Sequence, residues 1–298
     1  MLTSGCASYP AAGFGEYVTA VAVPETPFVP QDRYQCGPAA LQTVLQRSGA
    51  AVSLPWLVER VYVPGRQGSF QVEVAAAARA AGRIPYRVDG TLEAVGRELA
   101  AGRPVLVLQN LGVAWYPRWH FAVVYALDPV RGIVSLRSGT DRERHTAVDV
   151  FLRTWARADF WGIVVLRPDE LPSEPDRERW FSAVADFERV AAAAAARMAW
   201  RTTARHWPEA PMPWFGLGNV AYASGDASAA ESHYRRALAL DPDYAMARNN
   251  LAWALADLGR IDDAVRELER ALSSPKLPAA LADEIRDSRR QIGARRGP

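Results

Sequence analysis

The residues whose types and spacing could do covalent chemistry lie in two short segments, Gln31-Asp32-Arg33-Tyr34-Gln35-Cys36-Gly37-Pro38-Ala39-Ala40-Leu41 and Trp119-His120-Phe121-Ala122-Val123-Val124-Tyr125. Cys36 opens a run in which Ala40, Leu41, Val44 and Leu45 follow helical spacing and Gly49 stops it. At a helix start the macrodipole and the unpaired amides favour a thiolate, which arms the sulfur as a nucleophile. Pro38 suits the first turn, where its missing N–H costs nothing, and Gly37 would let a substrate approach the backbone closely. A lone cysteine is more often a small buried hydrophobe; a histidine placed to serve it reverses that reading. His120 opens an apolar strand, and a neutral imidazole there takes the thiol proton, or holds it in an imidazolium-thiolate pair, and returns it to a leaving amine. His145 lies among charged residues and His206 and His233 fall in the helical half, so neither position suits that role.

Cys-Gly-Pro-Ala-Ala-Leu with a preceding glutamine, the later His-Phe-Ala-Val-Val and the aromatic stretch Phe151-Leu152-Arg153-Thr154-Trp155 resemble the papain-like cysteine peptidases that process bacteriocin leaders at double-glycine sites, over roughly residues 31–167. The resemblance implies a thiol hydrolase: Cys36 acylated by a peptide carbonyl, His120 as acid and base, and an upstream glutamine donating to the oxyanion beside the amide of the cysteine. Gln31 takes that part, five places before Cys36 where the family has six, while the adjacent Gln35 points elsewhere. The family's histidine is followed by an Asp-Pro that orients it. Asp128-Pro129 is a false match, because eight strand residues at about 3.3 Å each carry Asp128 roughly 26 Å from His120. A turn pairing 128 with 132 sets 120 opposite 140 and returns Ser138, Thr140 or Asp141 toward the imidazole, and the family's Asp-Pro falls on Ser138-Gly139. Ser138 is the orienting residue on this reading, with Asp141 as substitute after a one- or two-residue shift; a serine stabilises an imidazolium less than a carboxylate does. Two other readings stay open: a catalytically weak peptidase-like binding module, and a cysteine acyltransferase that uses an amine in place of water.

The elements that must position these side chains read as α+β. Helices are expected at 36–47, 53–62, 70–82 and 91–101, then strands at 105–108, 121–125 and 132–136, with Asp128-Pro129-Val130-Arg131-Gly132 turning the last two into an antiparallel hairpin. A helix at 148–156 and a strand at 161–166 close the unit, so that residues 31–167 form the peptidase-like domain. Pro168, Pro172 and Pro175 among acidic residues mark 168–176 as a linker. Beyond it the sequence repeats with a period of about 34 residues, the length of a tetratricopeptide repeat. Pro211–Tyr244 carries Trp214, Leu217, Gly218, Tyr222, Gly225, Ala230, Tyr234, Ala237 and Pro242 in that pattern. The copy at 245–278 keeps Leu251, Gly259, Ala264, Leu268 and Ala271, and a degenerate copy at 177–210 keeps Trp180, Phe187, Ala196, Trp200 and Pro208. A polar amphipathic helix to about Ile292 suits a cap. Such an array implies a protein or peptide partner on its concave face.

Composition excludes several classes. Hydrophobic residues make up 49% of 298 against 23% charged, which argues for packed cores rather than disorder. The 35 basic residues nearly cancel the 33 acidic ones without a like-charge block, so no nucleic-acid partner is indicated. Two cysteines and four histidines are too few for a disulfide framework or a Cys/His zinc cluster, and no Gly-x-x-x-x-Gly-Lys-Ser/Thr loop is present, so neither metal nor cofactor is implied. No apolar run reaches the roughly 20 residues of a membrane span. Ser4-Gly5-Cys6-Ala7-Ser8 fits the end of a bacterial lipoprotein signal, with only five residues before Cys6. Lipidation of Cys6 would put the protein in the bacterial envelope, attached to membrane by that anchor alone; without it the expected location is cytoplasmic.

Overall fold

The computed structural model describes residues 20–32, 34–113 and 115–295. Cys6 lies outside them. The chain divides into two compact units, Met1–Ala183 and Val184–Pro298.

In the first unit, strand β1 (Val21–Ala22) precedes helices α1 (Cys36–Arg47), α2 (Leu54–Val61) and α3 (Gln71–Ala80). Then come β2 (Ile84–Arg87), α4 (Leu92–Ala100), β3 (Val105–Asn110), β4 (Trp119–Asp128), β5 (Ile133–Ser138), β6 (Asp141–Ala147), α5 (Val148–Ala156) and β7 (Gly162–Leu166). The strands form one antiparallel sheet in the order β2-β7-β3-β4-β5-β6, with β1 paired to the far end of β4. Along β3 and β4, Leu106, Leu108, Phe121 and Val123 face a core made with Cys36, Leu41, Leu45, Leu57 and Val74 from the first three helices. The alternate residues face the other way, where Gln109 Nε2 donates to Thr154 Oγ1 of α5 at 2.7 Å. The sheet is thus covered on both faces, which is why residues 105–108 and 121–127 read as apolar runs.

The hairpin differs from expectation at its turn: Asp128 pairs with Ile133, not with residue 132. A bulge at Tyr125 absorbs the extra residue, so Val123 pairs with Arg137 in the expected register, and the ladder ends there. Besides the two-residue β1, two strands escape the sequence pattern. Ile84–Arg87 contains Pro85 and sits on one sheet edge, where proline is tolerated; Asp141–Ala147 is charged and exposed and sits on the other.

The proline-rich segment after β7 has no regular structure but is tied down. Glu98, 3% exposed and paired with Arg103 at 2.6 Å, accepts the backbone N–H of Ser173 at 2.7 Å. Asp176 N–H donates to the Tyr86 hydroxyl at 3.0 Å, and the rings of Tyr86 and Trp180 lie 6.0 Å apart. Helix α6 (Arg177–Glu188) therefore begins inside the first unit, and the division between units falls within it.

The second unit continues with α7 (Ala193–His206), α8 (Pro211–Ala223), α9 (Ala227–Leu240), α10 (Ala245–Asp257), α11 (Ile261–Leu272) and α12 (Ala279–Gly293). Helix–turn–helix pairs stack around Phe215, Tyr234, Leu251, Leu255, Leu268 and Ile285. Small residues set the spacing. A Cβ on Gly216 would lie 2.2 Å from the Trp200 ring, and one on Gly218 2.4 Å from the Tyr234 ring.

Candidate active site

Cys36 is the first residue of α1, and the turn into that helix is abrupt: Tyr34 adopts a left-handed conformation with φ 69°, a cost of order 1 kcal/mol or more for a bulky residue. No side chain caps the helix, so its first N–H groups are left for other acceptors. The backbone amides of Phe121 on β4, of Gly37 and of Cys36 itself each favour the thiolate. Burial is the stronger influence and pushes the thiol above its ordinary range; the amides pull the other way without offsetting it. What approaches Gly37 is Ser69, not open space for a substrate as the sequence suggested: a Cβ there would lie 2.4 Å from Ser69 Oγ.

His120 alternates with Phe121, so its side chain leaves β4 on the face opposite the Cys36 core and beside Gln109, its partner across the ladder. Its Nε2 lies 2.8 Å from Ser138 Oγ. Ser138 in turn lines a narrow cleft of about 10 Å³, room for about one water molecule, beside Cys36, Gln31, Phe121 and Gly139. Ser138 is thus bonded to the imidazole and lines the cleft that the thiol also lines. No hydrogen bond joins Cys36 to His120 among the described residues. Burial lowers the imidazole pKa to about 4, with Arg144 and then Arg118 adding to the effect, so near neutral pH both thiol and imidazole are uncharged.

Gln31 enters the cleft from the segment before α1, anchored by its N–H donating to Gly139 O at 3.3 Å. Asp141 does not substitute for the missing carboxylate: it begins the exposed edge strand β6 and its nearest cation is Arg144 at 3.9 Å. Asp128 stays at the far end of the hairpin, capping its turn through the Arg131 N–H.

Sequence reading missed four contributors. Arg137, 7% exposed, lines the cleft and clamps its frame, donating to Thr26 O at 3.2 Å and Arg142 O at 2.5 Å while lying 4.0 Å from the Tyr125 ring centroid. Gln109 neighbours His120, and Arg118 and Arg144 flank it electrostatically. Strand alternation from His120 would have found Arg118; Arg144 needed the pairing of the unrecognised β6. Among the described residues no cluster of metal-ligating side chains occurs, and no helix is long and apolar enough to cross a membrane.

The tetratricopeptide repeat model matches residues 176–244 and 215–280. Protein FlbA of Caulobacter vibrioides is 40% identical over 75 residues, 25% of this chain; the match spans only 13% of that relative's length. Among solved structures, a C39-like peptidase from Bacillus anthracis superposes with a TM-score of 0.43 at 14% identity, covering 50% of this chain and 98% of that one. The MamA protein superposes with a TM-score of 0.32 at 17% identity, covering 50% of this chain and 76% of that one. The chain is an α+β domain, built as three helices on a mixed-cover antiparallel sheet, followed by an all-α region of tetratricopeptide repeats.

Proposed function

We propose that the N-terminal domain is a papain-like thiol hydrolase acting on a peptide bond, and that the repeats recruit its peptide or protein partner. The observation that carries this reading is the 2.8 Å bond between Ser138 Oγ and His120 Nε2 beside a cysteine at an uncapped helix start. With the hydroxyl accepting from Nε2–H, the lone pair remains on Nδ1, the nitrogen left to take the Cys36 proton. Attack of sulfur on the carbonyl carbon then forms a tetrahedral oxyanion, for which the Cys36 N–H and the Gln31 amide are the donors. The imidazolium returns its proton to the leaving amine, and water hydrolyses the thioester.

A second reading has its own support: with the thiol pushed up, the imidazole down to about 4 and no carboxylate on Nε2, the resting pair is poorly charged, as a peptide-binding module would be. Incubation with a mixed peptide library, acid quench and mass spectrometry separates the readings. An acyl adduct on Cys36 that is absent in His120→Ala supports the hydrolase; no adduct and no cleavage supports the binding module. Added hydroxylamine or glycine tests acyl transfer, which predicts capture of the acyl group by the amine in preference to water.

A further inference from the structure

The connection between β3 and β4 leads directly into His120 and holds Leu111, Val113, Trp115, Tyr116 and Trp119 exposed, Trp115 at 86% and Tyr116 at 67%. Its frame is well bonded. Asn110 Oδ1 accepts the N–H groups of Gly112 and Arg118, each at 2.9 Å, and Arg157 Nη1 donates to Gly112 O at 2.6 Å. A Cβ on Gly112 would meet Tyr116 O at 2.3 Å, so only glycine closes this turn. Aromatic rings held out to water on a fixed frame contribute nothing to the core and mark a recognition surface.

Charge says what kind. Arg118 has no ion pair among the described residues, and the nearest carboxylate to Arg144 is Asp141, at a loose 3.9 Å. Alternation puts Arg118 on the His120 face of β4, and the pairing of Arg144 with Leu136, itself opposite Val124, puts Arg144 on that same face. Two under-neutralised guanidiniums therefore stand beside the imidazole, next to the aromatic patch.

We propose that this end of the sheet docks an acidic segment of the peptide substrate, with Trp115, Tyr116 and Trp119 taking an apolar side chain and Arg118 and Arg144 taking a carboxylate. The inference rests on the hydrolase reading of Cys36 and His120. A carboxylate seated between the two arginines offsets their repulsion of an imidazolium and supplies the negative charge that Ser138 lacks, so that the substrate itself readies the pair. A peptide can offer an apolar side chain and a carboxylate from one short segment, and a peptide is what the hydrolase reading requires as substrate.

The test uses the full chain with Cys36→Ala, which cannot turn over, and a fluorescein-labelled decapeptide with glutamates flanking a leucine and a phenylalanine, beside its glutamine counterpart. Anisotropy should give about tenfold tighter binding of the acidic peptide at low salt. Trp115→Ala, at an exposed side chain whose ring neighbour is Tyr116, and Arg118→Gln should each weaken it about fivefold or more. With Cys36 restored, the acidic peptide should speed iodoacetamide labelling of Cys36 only when His120 is present. Equal affinity for the two peptides, unchanged affinity in both variants, or Trp115-dependent binding of phosphatidylglycerol vesicles in place of the peptide would overturn the proposal. Labelling of Cys36 without peptide tests the hydrolase reading separately, so a failure of docking and a failure of catalysis give different results.

Discussion

An imidazole held by a hydroxyl gains orientation without charge: Ser138 Oγ fixes Nε2 of His120 but offers no negative field to the protonated ring. Ser138→Asp should therefore raise the His120 pKa and speed iodoacetamide labelling of Cys36 at pH 7 by about tenfold, one pKa unit's worth; an unchanged rate would mean that the imidazole does not act on the sulfur. The same burial leaves a mark on stability. His120 titrates at about 4 when folded against an ordinary 6.5, so between those values the unfolded chain binds the extra proton. Its contribution is complete above pH 6.5 and is lost as pH falls toward 4, by up to roughly 3 kcal/mol. Urea midpoints at pH 7 and pH 4.5 should show that loss in the native sequence and a smaller one in His120→Gln.

Elements with a strong period were legible from sequence, and those placed by the sheet as a whole were not. Helix α1 announces itself through Leu41, Val44 and Leu45 and a glycine stop, and it carries Cys36 where the spacing put it. Ser138 was reached by counting along a hairpin, a count that survived a wrong turn pairing only because the bulge at Tyr125 compensated. Strand β6 has no apolar alternation because it is an exposed edge, so the arginine it brings to His120 was invisible. The end of the first unit was masked in the same way: the proline-rich composition suggested a free linker, whereas Glu98 and Tyr86 hold that segment by its backbone N–H groups. A fragment ending at residue 176 loses Trp180 from Tyr86 and should melt below one ending at 188, by about 2–4 °C for each kcal/mol lost; equal melting temperatures would place the unit's edge at the prolines. In the repeats, Gly216→Ala forces a methyl into the Trp200 ring and should cost about 1–3 kcal/mol in urea unfolding.

At the scale of the molecule, two units have separate cores, an α+β domain in one and stacked repeats in the other. Near-balanced charge leaves recognition to local patches rather than to an overall field. The central claim is that Cys36 and His120 act as a pair, although strand alternation starts them on opposite faces of the sheet. The most direct test is the pH dependence of iodoacetamide labelling of Cys36 in the full chain with Cys6→Ser, with His120 intact and with His120→Ala. The account predicts labelling at pH 7 that is several-fold faster with His120 present, and a profile that moves to higher pH without it. Identical profiles, each following a single buried thiol, would contradict it.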